Sequence, residues 1–391
     1  MAEVLDSAQH GNKAHTDGGW DLIPVQTRSE RPKSFDVQDF APVTGREAVW
    51  KFAPVAQLDT LLNGELDGTR YTYDAEPVPG IDLAWLPRAE ATLGLAGTPE
   101  ERGSAAAWTA VQDVLQITVT GEDEKTLRLN RNAFGAGARA AHTVIEAKTH
   151  SRGLVILENT GDAELSENVE IIVRDEAHLT VVTVQEWNDE AKHLASHFAT
   201  VGRGATLKHI VVSLGGKVVR VNPSIHLDHE GAGTDALGAY FADAGQHLEQ
   251  QVYIDHDAAH TRSRVTYKGA LQGAGARTVW IGDVLIRQSG TGTDSYEQNR
   301  NLVLSDGTRA DSIPNLEIET GDIEGAGHAS ATGRFDDEQL FYLMSRGIGE
   351  AEARKLVVRG FLLEVVNQIG NPEIEERLQQ AIDASLAESV L

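Results

Sequence analysis

From about Val111 to Glu324 the chain is a succession of short apolar runs, many alternating with polar residues: 115–120, 154–157, 169–173, 179–184, 207–213, 218–221, 252–254, 279–286 and 302–304. Period two with β-branched enrichment predicts strands, because successive side chains on a pleated strand point to opposite faces. Gly, Asp and Asn punctuate the runs, as at Asn159–Asp162, Gly202–Gly204 and Ser305–Gly307. No amphipathic helix of useful length interrupts about 200 residues. So many strands suit a sandwich, a barrel or a β-helix, and periodicity alone does not choose. The tract exceeds the usual size of one sandwich yet contains no linker, which favours a solenoid.

The flanks have a different texture. Residues 1–32 are polar and aperiodic, as expected of a mobile tail. Residues 33–110 read as a helical domain: 47–62 is apolar at helical spacing, with Pro54 kinking it or starting a new helix. Pro99-Glu100-Glu101-Arg102 suits a helix start. Within 334–391 three helices are expected. Asp336 caps the first with Gln339 three residues on, Leu340, Leu343 and Met344 form its apolar face, and Gly347 closes it. The second runs from about Glu350 to Gln368, and Gly370 ends it. Asn371-Pro372 opens the third, with Ile374, Leu378, Ile382 and Leu386 along one face.

Composition narrows the function. The 391 residues are 41% hydrophobic and 24% charged, the mix of a folded protein, and the length predicts two or three structural parts or one elongated solenoid. With 34 basic against 59 acidic side chains the net charge is −25, which disfavours nucleic acid and anionic membrane as partners. There is no cysteine, which excludes disulfides, cysteine nucleophiles and any site built on this chain's own thiolates. No apolar leader or membrane span is evident, so a cytoplasmic location is expected.

No complete catalytic set emerges. His193 and His197 stand four apart, but Leu194 occupies the place of a metalloprotease glutamate, so a solvated pair is expected. His226, His229 and Glu230, and His256, Asp257 and His260, form two loose groups better read as exposed polar rungs. Gly216-Lys217 is not a phosphate loop, and there is no nucleophile elbow. A scaffold or binding subunit is the leading reading, ahead of an enzyme. His328 differs in position: it sits in the small-residue stretch 325–330 (GAGHAS), where strand texture gives way to helices and an ion or another backbone can approach.

Several longer motifs carry a resemblance: 293–306 (TDSYEQNRNLVLSD), 314–318 (PNLEI), 327–332 (GHASAT) and 337–348 (DEQLFYLMSRGI), with 260–263 (HTRS), 267–269 (YKG) and 47–54 (EAVWKFAP) upstream. Together they resemble the SufB/SufD family of iron–sulfur cluster assembly proteins. The resemblance implies a mainly β fold, a right-handed parallel β-helix over 111–333 flanked by N- and C-terminal helical domains. It implies a non-catalytic subunit that pairs with SufB and binds the SufC ATPase through its C-terminal helices, ATP entering only through SufC. Clusters are held mainly by thiolates, so a chain without cysteine fits the SufD branch. The family's histidine near the SufB interface maps onto His328, a metal ligand for a transient cluster shared with SufB; Ala326 stands where some relatives have cysteine. For ATPase docking, Phe361 is the expected aromatic anchor, with Arg346, Arg354 and Arg359 orienting the contact. Flavin involvement and a homodimer of the isolated chain are left open. The alternatives are a β-helix carbohydrate hydrolase and a purely structural scaffold.

Overall fold

The computed structural model describes residues 28–334 and 337–388. Most of the expected tail and the Asp336 cap lie outside the described residues. The stretch from Arg28 onward lies on the body, where the Arg28 guanidinium is buried against Glu100 at 2.9 Å.

From the strand Asp113–Val119 to the strand Gly325–Gly333 the chain alternates between two parallel sheets, one strand in each per turn. The result is a β-solenoid of about eight turns. Register is strict along its length: Arg152, His178, Thr206, Gly233, Arg262, Asp294 and Gly325 align on successive turns of one sheet. One corner is built from a column of left-handed residues, His150, Glu176, Gly204, Gly231, His260 and Gly292, with φ between 56° and 72°. Each donates its backbone N–H to the turn above, as in His260 N to Thr291 O at 2.7 Å and Gly292 N to Asp322 O at 2.8 Å. His260 is therefore a corner residue and not a rung of an exposed polar patch.

The lumen is lined by inward-facing apolar side chains from both sheets, among them Val155, Val169, Ile171, Val181, Val221, Ile254 and Val265. Large and small residues complement each other between turns. Tyr240 lies in register with Gly269 and Tyr267 with Gly238, and a Cβ on Gly269 would stand 1.8 Å from the Tyr240 ring. The outer faces are covered too, which is why many strands read as continuous apolar runs.

On one sheet lie helices α1 (Asp59–Asn63) and α2 (Arg102–Ala110), with Trp50, Leu61 and Leu62 packed on Leu194 and Val218. The segment 33–110 is less helical than its sequence suggests. Residues 47–62 form two 3-10 turns separated at Pro54 and then the short α1. Two strands, Thr72–Asp74 and Ile81–Pro87, add antiparallel to the first turn. Glu100 and Glu101 do not serve the first turn of α2 but bind the buried Arg28 and Arg220.

The other outer face is covered by α4 (Glu350–Val366) and α5 (Pro372–Glu388), reached through α3 (Asp337–Ser345). Val358, Leu362, Val365, Val366, Ile374, Leu378, Ile382 and Leu386 pack on Ile156, Val182, Ile210, Val212, Leu237 and Phe241. Gly347 and Gly370 take φ of 89° and 81° after α3 and α4, as expected of helix-ending glycines.

Candidate functional site

The solenoid ends on two edge strands, Arg309–Ile318 and Gly325–Gly333, each paired on one side only. On the strand Asp294–Val303, parity sends Ser295, Glu297, Asn299 and Asn301 inward, all buried, while Tyr296 is 41% exposed. The final strand places Ala326, His328, Ser330 and Thr332 in register above these four. Among the described residues no further turn stacks on it, and the His328 side chain is 45% exposed while Glu297 directly beneath is at 1%. In the same column the preceding turn carries Val265. Along this column the inward residue thus changes from apolar, Ala236 and Val265, to polar in the last two turns.

This mouth is internally hydrogen-bonded on one side. Tyr240 Oη donates to Asn301 Oδ1 at 2.8 Å, Asn299 Nδ2 donates to Tyr240 Oη at 2.8 Å, and Ser312 Oγ donates to Asn299 Oδ1 at 2.7 Å. Ser330 Oγ reaches Ser312 Oγ at 2.8 Å. Beside this network Glu297 is isolated: neither carboxylate oxygen takes a hydrogen bond. The His328 imidazole lies beside it, with Nδ1 3.8 Å from Oε1. Burial, helped by the nearby Asp283 carboxylate, pushes Glu297 up to about 8. Room for it comes from Gly282, where a Cβ would stand 2.4 Å from Glu297 Oε2.

The expected docking residues lie elsewhere, on the C-terminal helices. Arg346 sits 5.1 Å over the Tyr342 ring, Arg354 pairs with Glu350 at 2.8 Å, and Arg359 reaches Asp383 at 3.5 Å. Phe361 is half-buried on the β body with Lys268 Nζ 4.7 Å over its ring. On these helices the exposed aromatics among the described residues are Phe341 at 73% and Tyr342 at 57%, both on α3. The sequence does not single these out: Leu340, Leu343 and Met344 beside them are apolar too, and only the fold shows that Leu340 is buried while Phe341 and Tyr342 are not.

The histidine groups are not what spacing suggests. His193 and His197 are on a strand, not a helix, and neither is solvated; i and i+4 share the inward face. His193 Nε2 lies 2.8 Å from Glu167, which also binds Arg131 inside the lumen, and His197 Nδ1 lies 2.9 Å from His209 Nε2. His256 is buried between Thr261 Oγ1 at 2.7 Å and Ser263 Oγ at 2.9 Å, whereas His229 is an exposed turn residue beside Asp228. His226 is half-buried, 3.4 Å from Asp255. Among the described residues no three His, Asp or Glu side chains converge as a metal cluster.

Residues 129–361, which include the mouth, α3 and most of α4, match the family model described as SUF system FeS cluster assembly, SufBD core domain. An iron-sulfur cluster assembly SufBD family protein of Mycobacterium tuberculosis (strain ATCC 25618 / H37Rv) is 44% identical over 372 residues, 93% of this chain and 94% of that protein. The chain belongs to the SufBD family. A SufBD relative from Mycobacterium leprae (strain TN) is 44% identical over 363 residues, 90% of this chain and 93% of its own length. A second, longer SufBD protein of that organism is 33% identical over 208 residues, 53% of this chain and 24% of that protein. Iron–sulfur cluster assembly is thus the function of this SufBD chain, and the hydrolase alternative falls. No helix among the described residues is long and apolar enough to cross a membrane.

Proposed function

We propose that this chain is a SufD-type, non-catalytic subunit of the assembly system. It pairs with a cysteine-bearing SufB-type subunit through the open solenoid mouth and carries a SufC-type ATPase on its C-terminal helices. His328 lends its imidazole to the nascent cluster, which is cargo and not a resident cofactor. The observation that carries this reading is the placement of His328. It is an exposed histidine on the last rung of an uncovered solenoid end, in a chain with no cysteine of its own.

Neutral imidazole ligates iron in mixed sites whose other donors are thiolates, and here those thiolates come from the partner. A free edge strand is a template for pairing with a second chain, so the same feature that exposes His328 also offers the docking surface. ATP acts through the ATPase alone. For that contact, α3 offers Phe341 and Tyr342, flanked by Arg346, and Arg354 and Arg359 follow on α4.

The test is co-purification of this chain with its SufB- and SufC-type partners, with iron and sulfide measured in wild type and in His328→Ala. The complex should assemble in both, because His328 contributes little core area, and cluster content should fall sharply in the variant. A His328→Ala complex that accumulates cluster at the wild-type rate refutes the ligand role.

A further inference from the structure

We propose that Glu297 and His328 together form a two-donor site for a divalent iron ion at the solenoid mouth, so that this chain contributes a carboxylate as well as an imidazole. The inference rests on the reading of His328 given above and extends it to a residue with a different place in the fold.

The argument is geometric. Glu297 is buried to 1% exposure, yet neither of its oxygens is hydrogen-bonded. Such a group costs free energy unless it has a partner. The neighbouring Asn299, Asn301, Ser312 and Ser330 satisfy one another and leave Glu297 out. Strict register puts it one rung beneath His328, and inward parity points both side chains into the mouth. Nδ1 and Oε1 are 3.8 Å apart, too far for a hydrogen bond. The exposed imidazole need move in by only a few tenths of an ångström to reach the ~3.3–3.6 Å span of two tetrahedral donors that each approach one ion to about 2.0–2.2 Å. Gly282 leaves the space that Glu297 occupies, since a Cβ there would collide with Oε2 and with the Trp280 ring. The mouth beyond His328 is open, so the remaining coordination positions face a partner. Imidazole with carboxylate is a donor set that suits Fe(II) with open positions, and among the described residues no third ligand converges on the pair.

The test uses the full-length chain with cobalt(II) as the probe, measured anaerobically by equilibrium dialysis on wild type, Glu297→Gln, Glu297→Asp and His328→Ala. Wild type should bind one cobalt ion that His328→Ala loses. Glu297→Gln, which keeps the shape but cannot ionise onto the metal, should weaken that ion at least about tenfold, and Glu297→Asp should retain more of it than Gln does. Thermal melts of each variant confirm that the fold is kept. Cobalt binding in Glu297→Gln equal to wild type overturns the inference, as does a wild type with no ion sensitive to His328. These outcomes are separate from the assembly test: loss of cluster in the His328→Ala complex with undiminished cobalt binding in Glu297→Gln upholds the function and sinks the carboxylate ligand.

Discussion

At the scale of single residues the solenoid is held by matched sizes between turns. Gly269 lies in register with Tyr240, and any side chain there would drive into the ring. Gly269→Ala should therefore destabilise the protein by about 1–3 kcal/mol, the cost of overpacking, seen as a lower denaturation midpoint in urea; an unchanged midpoint would show that the rings give way. Buried histidines supply an acid sensitivity. Burial pulls His256 down to about 4, only partly opposed by Asp255 and Asp294. The unfolded chain takes up that proton near 6.5, so stability present above 6.5 is lost as pH falls towards 4, about 1.4 kcal/mol per pH unit for one such group. His209, also drawn down to about 4 by burial, acts in the same window. Asp255, held at about 2 by His226 and Arg287 against burial, matters only below 3.8. His256→Gln should thus flatten the fall in melting temperature between pH 7 and 5, and a slope identical to wild type would disprove the assignment. Little of this is legible in the sequence. Spacing reveals that His193 and His197 share a face, but not that the face is the lumen. Glu297 becomes visible only once Tyr296 and the residues after it are assigned to alternate sides.

At the scale of elements, period-two patterning located only nine of the sixteen strands between Asp113 and Gly333, because it is a local property that fades in runs such as 192–201 and 325–333, and strand pairing is not local at all. Each strand bonds to those one turn before and after it, so a run such as 179–184 carries no mark of its neighbours. The N-terminal segment shows the converse: residues 81–87 become a strand because the edge at Val114–Val119 is there to pair with. Among the helices, sequence shows apolar stripes but not what they face. Those of α4 and α5 are consumed by the sheet, and Phe361 belongs with them. This separates two kinds of substitution. Leu362→Ala, at 0% exposure in that layer, should cost about 2–5 kcal/mol of stability. Phe341→Ser combined with Tyr342→Ser, on the exposed face of α3, should leave the melting temperature nearly unchanged and abolish capture of the SufC-type ATPase in a pull-down. Retained capture would move the docking site off α3.

At the scale of the whole molecule, the two ends of the solenoid are treated differently. The first turn is closed by the antiparallel strands Thr72–Asp74 and Ile81–Pro87 and by the N-terminal segments around them. Among the described residues the last turn has no such cover: strand 325–333 offers a bare edge with small side chains, and Ile318 on its neighbour is 43% exposed. A solenoid needs its ends capped, and an uncapped parallel edge invites another chain. If the SufB-type subunit is that cap, then charge placed on the edge should block it without disturbing the fold. Ala329→Lys with Ala331→Lys tests this, since both residues are exposed on the last strand and surface substitutions of this kind usually change stability by less than about 0.5 kcal/mol. The doubly substituted chain should keep its melting temperature and its ATPase capture through α3 but lose pairing with the SufB-type subunit, and with it all cluster formation. The α3 variant should show the reverse pattern, pairing retained and ATPase lost. Undiminished pairing by a folded Ala329→Lys, Ala331→Lys chain would mean that the mouth is not the docking surface, and would remove the basis for placing partner thiolates opposite His328.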